Sequence, residues 1–407
     1  MSLEHTDTRP TLHHHVQPVL DISKIPLALY IHIPWCVRKC PYCDFNSHAQ
    51  KTPDLRVYHD YVTALMADID EQIPWLQNRQ ISSIFIGGGT PSLLPIVEYK
   101  RLFAYLQSNL PLSDDIEVTM EANPGTLEHA PFAQYLEVGI NRLSIGVQSF
   151  STLHLEKLGR IHNPQQAEKA IASARKAGFR RVNVDLMHGL PNQTVTEAFD
   201  DLKRAHEAGA THLSWYQLTI EPNTVFYRQT PVLPSEDTLA DIEERGREQL
   251  LAMGYHNYEI SAWVGRDDNP CRHNLNYWQF GDYLAIGAGA HGKISLQRQD
   301  KQAGGIYRFS RSRQPKDYIN FVQYPKLIGW QAIKQDELAG EFMMNTLRLT
   351  QGIDKSLFYQ RTGQDFSQIE DIWQSLKKRG LLIEDDDIIA PTMMGQRYLN
   401  HVMQAFI

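Results

Sequence analysis

Three of the chain's four cysteines fall within eight residues, in the run Cys36-Val-Arg-Lys-Cys40-Pro-Tyr-Cys43, and the fourth, Cys271, is remote. Three thiolates at C-x3-C-x2-C spacing can hold three irons of a 4Fe-4S cluster, whereas ferredoxin clusters take four ligands at other spacings. The remaining iron is then open to a small molecule. The amino and carboxylate groups of S-adenosylmethionine (SAM) suit such an iron, and an electron from the cluster can cleave the sulfonium. The competing readings are a zinc site and a disulfide. Zinc normally takes a fourth Cys or His at short spacing. A disulfide scaffold is out of keeping with so few cysteines in so long a chain.

A second run suited to a ligand is Gly87-Gly88-Gly89-Thr90-Pro91. Glycine has no Cβ, so backbone can approach a ligand closely there. Freed carbonyls can accept from an amino group; the plainer reading is a tight turn. Single polar residues follow in apolar surroundings. Glu121, in Met-Glu-Ala-Asn-Pro, can accept both hydroxyls of a ribose or cap the next helix. Gln148 offers donors and an acceptor, or is a satisfied core amide. Arg160 can grip a carboxylate with two prongs, or form a surface ion pair. Asp185, flanked by Val184 and Leu186, is costly to bury unless a ligand or a structural arginine partners it.

Strand–helix alternation from Leu27 onward positions these residues. Strands are predicted at Leu27–Ile33, Ile81–Ile86, Ile116–Glu121, Arg142–Val147, Arg181–Leu186 and Leu213–Leu218. Helices are predicted between them, among others at Asp54–Gln72, Ile96–Leu110, Gln165–Ala177 and Thr194–Ala208. Consecutive βα units imply a parallel sheet with right-handed crossovers. The cysteine loop, the glycine run, Glu121, Gln148 and Asp185 all sit at C-terminal strand ends, the functional edge of α/β sheets and barrels. The alternation fits a partial (β/α)6 barrel or a flat doubly wound sheet equally well.

Beyond Pro222 the alternation weakens. A helix is predicted at Glu236–Met253. A segment without clear periodicity then carries Cys271, His273-Asn-Leu-Asn-Tyr277-Trp278 and a glycine-rich stretch through His291. From Asp336 three helices, two short strands (Leu381–Ile383 and Ile388–Ala390) around Asp385–Asp387, and a last helix follow the order of a winged helix. The acidic wing would repel phosphate, which favours a packing or partner module over a DNA reader. The expected division is a flexible tail at 1–25, a barrel at 26–232, an extension at 233–334 and the winged-helix-like unit at 335–407.

The chain has 407 residues and a formal net charge of −7, which gives no basic excess for nucleic acid. The polar start, with His13-His14-His15, has no hydrophobic core of a secretory signal. Clustered thiols without an export signal point to the cytoplasm.

The cysteine spacing resembles the radical SAM signature. The wider set of motifs resembles the family that contains the oxygen-independent coproporphyrinogen III dehydrogenases and the HemW-type heme chaperones. The likeness runs from Leu27 to the end. It rests on Tyr-x-His-Ile-Pro-x-Cys, Gly-Gly-Gly-Thr-Pro, Glu-x-Asn-Pro, the Gln148 and Arg160 positions, Asp-Leu-x-x-Gly-Leu-Pro, and Phe-Met-Met-Asn-x-Leu-Arg-Leu. The resemblance favours the barrel and implies that Tyr30, Tyr42, Gly88, Gly89, Thr90, Glu121, Gln148, Arg160 and Asp185 handle SAM, the last three matching a second SAM site.

Two features separate the branches of this family. The dehydrogenases carry a further cysteine two residues after the third, where this chain has Phe45. The chaperones carry His-Asn-x-x-Tyr-Trp, present here from His273. Both favour a heme carrier that delivers to an acceptor such as a respiratory, membrane-associated enzyme, with cluster and SAM as a switch for docking or release. The resemblance also implies a homodimer. The alternative is an enzyme that uses a SAM-derived radical to decarboxylate a tetrapyrrole propionate oxidatively. For heme, the motif implies His273 as a candidate ligand, since neutral imidazole is a standard axial donor; the plainer reading of His273 is a hydrogen-bonded loop histidine, and the ligating atom stays open. Cys271 is a competing thiolate, or a small buried hydrophobe. Tyr277 and Trp278 can pack on the porphyrin plane, or form a small packing cluster of their own.

Overall fold

A computed structural model describes residues 20–49, 54–125, 131–297, 304–320 and 329–407. The His13–His15 run lies outside them. Twelve strands form one mixed sheet. The first six are β1 (Leu27–Ile33), β2 (Ile81–Gly88), β3 (Leu112–Ala122), β4 (Arg142–Gln148), β5 (Arg181–His188) and β6 (His212–Gln217). They lie side by side in chain order and pair in parallel, as a partial (β/α)6 barrel requires. Their apolar residues face cover on both sides; every residue of β4 is buried.

The connecting helices begin on local signals. In α1 (Leu55–Gln72) the Asp54 side chain accepts from the Arg56 N–H at 3.0 Å, and Tyr61, Leu65 and Ile69 face the sheet. The helix α2 spans Ile96–Asn109. Helices α3 (Pro164–Lys176) and α4 (Val195–Glu207) each start on a reciprocal capping box, Asn163 with Gln166 and Thr194 with Glu197.

The segment expected to lack periodicity completes the sheet. After α5 (Glu236–Ala252), β7 (Tyr255–Asn257) and β8 (Ala262–Gly265) extend the β6 edge antiparallel. Helix α6 (Arg272–Trp278) follows. Strand β9 (Asp282–Ile286) then pairs in parallel with β1 on its other side, and β10 (His291–Leu296), β11 (Gly305–Ser310) and β12 (Gly329–Ala332) continue antiparallel. The strands of the extension form both flanks of the barrel sheet and share its core. Asp282, fully buried, fixes β9 by accepting from Arg79 at 2.7 Å and Lys293 at 2.9 Å.

A second apolar core belongs to the C-terminal helical unit, built from α7 (Gln335–Thr346), α8 (Ser356–Thr362), α9 (Glu370–Lys378) and two short final helices. The last predicted helix is broken at Tyr398. Ile388–Ile389 pairs with Ile353–Asp354, while Leu382 makes one bridge to Pro391, so the expected two-stranded wing is reduced. The tail boundary also moves. Leu20, Ile22 and Ile25 are buried in this second core, and Arg361 donates to the Lys24 carbonyl at 2.8 Å. Each such apolar side chain contributes about 1.5–3 kcal/mol on burial, so 20–25 is structural rather than loose. Among the described residues, no helix is long and apolar enough to cross a membrane.

Candidate cofactor site at the strand ends

The cysteine loop leaves β1 at Pro34 and is fastened to the glycine turn after β2. Gly89 N–H donates to the Ile33 carbonyl and Thr90 N–H to the Trp35 carbonyl, both at 2.7 Å, and His48 N–H closes the loop on Pro34 at 2.7 Å. This brings the three thiols to the rim of a cavity of about 290 Å³. Each sulfur has a polar neighbour: Thr90 Oγ1 donates to Cys36 Sγ at 3.6 Å, Arg160 Nη1 to Cys40 Sγ at 3.8 Å, and the Ser47 hydroxyl lies 3.8 Å from Cys43 Sγ. Such donors stabilise sulfur-borne charge and tune a cluster's potential. Burial pushes the Cys36 and Cys43 thiols up, an effect that bound iron would reverse. Among the described residues no three His, Cys, Asp or Glu side chains converge on one point. The three thiols nevertheless line one cavity together.

The glycine turn is demanding. Gly88 has φ +113°, and a Cβ there would lie 2.5 Å from the His32 ring; at Gly89 it would lie 2.5 Å from the Trp35 carbonyl oxygen. Gly88 N–H donates to Glu121 Oε2 at 3.1 Å. The Glu121 carboxyl is pushed up to about 8, by burial first and then by the Asp185 carboxylate. A largely enclosed carboxyl with no cationic partner among the described residues fits a ligand that brings hydroxyls or positive charge.

Opposite it, Arg160 Nη2 donates to Asn123 Oδ1 at 2.6 Å and to the Gly146 carbonyl at 2.5 Å. Asp185, also raised by burial, accepts from Ser144 and Asn183. Gln148 stands at φ +70°, and its Oε1 accepts from the Tyr216 hydroxyl at 2.8 Å. A non-glycine residue in this region is sparsely populated and is held there by its surroundings. Tyr42 packs against Phe226 on the same wall.

The cavity thus gathers the three cysteines with Tyr42, Gly88, Gly89, Thr90, Glu121, Gln148, Arg160 and Asp185. Tyr30 is not among them. It lines a neighbouring cavity, its hydroxyl 2.9 Å from His32 Nδ1. Sequence reasoning missed Asn123 and Tyr216, which line the floor. Asn123 had a signal, its place in Glu-x-Asn-Pro; Tyr216 had only its position near the end of β6.

His273 lies inside the barrel rather than on an open surface. The residue is 1% exposed, stacked on Phe85, with Nδ1 3.1 Å from the Ser83 hydroxyl and Nε2 2.9 Å from the Tyr277 hydroxyl. Both ring nitrogens are occupied, because the first turn of α6 faces it into the barrel. Cys271 is fully buried, its thiol is pushed up to about 12, chiefly by burial, and it donates to Glu117 Oε1 at 3.3 Å. It behaves as a core residue.

The pattern of the Radical SAM superfamily matches residues 30–205, and that of the HemN C-terminal domain matches 333–398. The heme chaperone HemW of Escherichia coli K12 is 46% identical over 94% of this chain and 98% of its own length. The chain belongs to the HemW family. The HemW heme chaperone of Haemophilus influenzae is 44% identical over the same shares, and that of Bacillus subtilis 32% over 93% and 99%. Coproporphyrinogen III oxidase (HemN) from E. coli, described as a radical SAM enzyme, superposes with a TM-score of 0.77 at 24% identity, covering 94% of this chain and 90% of its own. That likeness establishes the fold. A radical SAM chain of the HemW family binds a 4Fe-4S cluster and SAM, and the cavity has the donor set for both.

Two consequences can be measured. Gly88→Ala forces a side chain into a left-handed backbone and against His32. SAM affinity by equilibrium dialysis is expected to fall at least ~10-fold, equivalent to about 1.4 kcal/mol; unchanged affinity would contradict the cradle. The second concerns Glu121. Its folded pKa of about 8 lies above the ordinary 4.5, so its stabilising contribution is full below the lower value and is lost as pH rises through the higher. Glu121→Gln is expected to remove that slope from urea unfolding of ligand-free protein and to gain about 2 kcal/mol above pH ~8, discounted for partial wetting. Parallel pH profiles for the two proteins would contradict it.

Proposed function

We propose that this chain is a heme carrier, which holds a 4Fe-4S cluster and SAM at the strand ends, binds heme and delivers it to an acceptor protein. The observation that carries this reading is near full-length likeness to proteins named heme chaperones. Phe45, where the dehydrogenase branch has its further cysteine, supports it. The cluster supplies one-electron chemistry toward SAM when bound. The chain's own part is to orient and enclose: Glu121 accepts hydroxyls, Arg160 and Asp185 fix polar groups, and the glycine turn admits the ligand's amino group. In this reading cluster and SAM act as a switch on docking or release.

The protein works in the cytoplasm and hands heme to a respiratory, membrane-associated acceptor; a homodimer rests on the family resemblance alone. The enzyme reading, oxidative decarboxylation of coproporphyrinogen III, draws on the shared fold with HemN. The test supplies reconstituted protein with reductant, SAM and coproporphyrinogen III under anaerobic conditions. The carrier reading expects no vinyl product. Vinyl product at catalytic turnover would overturn it.

A further inference from the structure

A second cavity, of about 440 Å³, opens beside the cluster loop, within the range of about 300–1,000 Å³ that takes a cofactor-sized ligand. Tyr277, Trp278 and Tyr283 form one wall, and Phe45 belongs to both cavities. Phe45 is 63% exposed, although it stands only two residues after the third cysteine. Asn46 ties the cluster loop to the far rim by donating to the carbonyls of Ala288 and Arg313, both at 2.9 Å.

The polar groups of this cavity divide into engaged and free. His32 is spent, with Nδ1 on the Tyr30 hydroxyl at 2.9 Å and Nε2 on the Asn46 carbonyl at 2.8 Å. Lys293 is spent on Asp282, and Arg308 is paired with Glu341. His291, the first residue of β10, is exposed, and among the described residues its ring makes no hydrogen bond. Arg313 is exposed as well. Its carbonyl is used by Asn46 and His48, while its guanidinium has no carboxylate partner among the described residues.

We propose that this cavity is the heme seat, with His291 as the axial ligand to iron, Arg313 on a propionate, and the ring between Phe45 and the Tyr277–Trp278 wall. The proposal rests on the carrier reading. An unengaged imidazole can bind iron, a free guanidinium can take a carboxylate with two prongs, and aromatic faces suit a porphyrin plane. Among the described residues, this cavity brings all three around one opening. Through Phe45 the seat also touches the cluster cavity.

The test titrates cluster-reconstituted protein with heme and, separately, with metal-free protoporphyrin IX, following absorbance. His291→Ala is expected to weaken heme at least ~10-fold and shift the Soret band, while leaving metal-free porphyrin unaffected. Arg313→Glu is expected to weaken both. Because both residues are exposed, neither change threatens the core. A His291→Ala protein with unchanged heme affinity and Soret band, or with both porphyrins weakened equally, would overturn the seat. If the unaltered protein shows no saturable heme binding, the carrier reading itself falls, and the seat with it.

Discussion

Replacing Cys36, Cys40 and Cys43 together by alanine is expected to reduce bound iron from roughly four per chain to near zero, with acid-labile sulfide falling in step. The three thiols are the sulfur donors of the cavity, and each already has a polar neighbour placed to support thiolate charge. Cys271→Ala is the control. Its thiol is buried, hydrogen-bonded to Glu117 and pushed up to about 12, so iron content is expected to stay unchanged. Iron and sulfide retained after the triple replacement would remove the premise shared by the carrier and enzyme readings.

Asp282→Ala is expected to cost about 3–5 kcal/mol of stability, because it strands two buried cations. Arg79 and Lys293 both end on this carboxylate, at 2.7 and 2.9 Å, and Ser295 N–H and hydroxyl donate to it at 2.8 and 2.9 Å. Burial opposes its ionisation, but Lys293 and Arg79 outweigh that and hold its pKa below the ordinary range. The carboxylate also anchors β9, which runs beside β1 and leads to the glycine-rich turn before His291. Urea unfolding measures the loss. A change under about 1 kcal/mol would mean that water or a nearby group compensates the two cations.

The parts of the molecule legible in the sequence are those governed by local rules. The six parallel strands alternate with capped helices, so β1 and α1 are read to within a residue or two, and the polar residues at their ends fall together because strand ends share one edge. The flanking strands β7 to β12 escape because they are short and their pairing is set by neighbours distant in sequence. The Asp282 ion group is of the same kind: Arg79 and Asp282 are remote in the chain and nothing local links them. The His273 motif shows a further limit. Adjacency along the chain does not say which way a helix faces, and α6 turns His273 inward while Tyr277 and Trp278 line the open cavity. Leu20, Ile22 and Ile25 look like part of a tail until their partners in α7 and α8 are seen.

The most direct test of the central claim is a heme titration of the anaerobically purified, cluster-reconstituted protein, followed by absorbance and then by transfer to a heme-free acceptor protein. The account expects a saturable titration with a defined end point and loss of the bound-heme spectrum when acceptor is added. Absorbance that rises without an end point, as for heme in free solution, or heme that binds but never leaves, would contradict it.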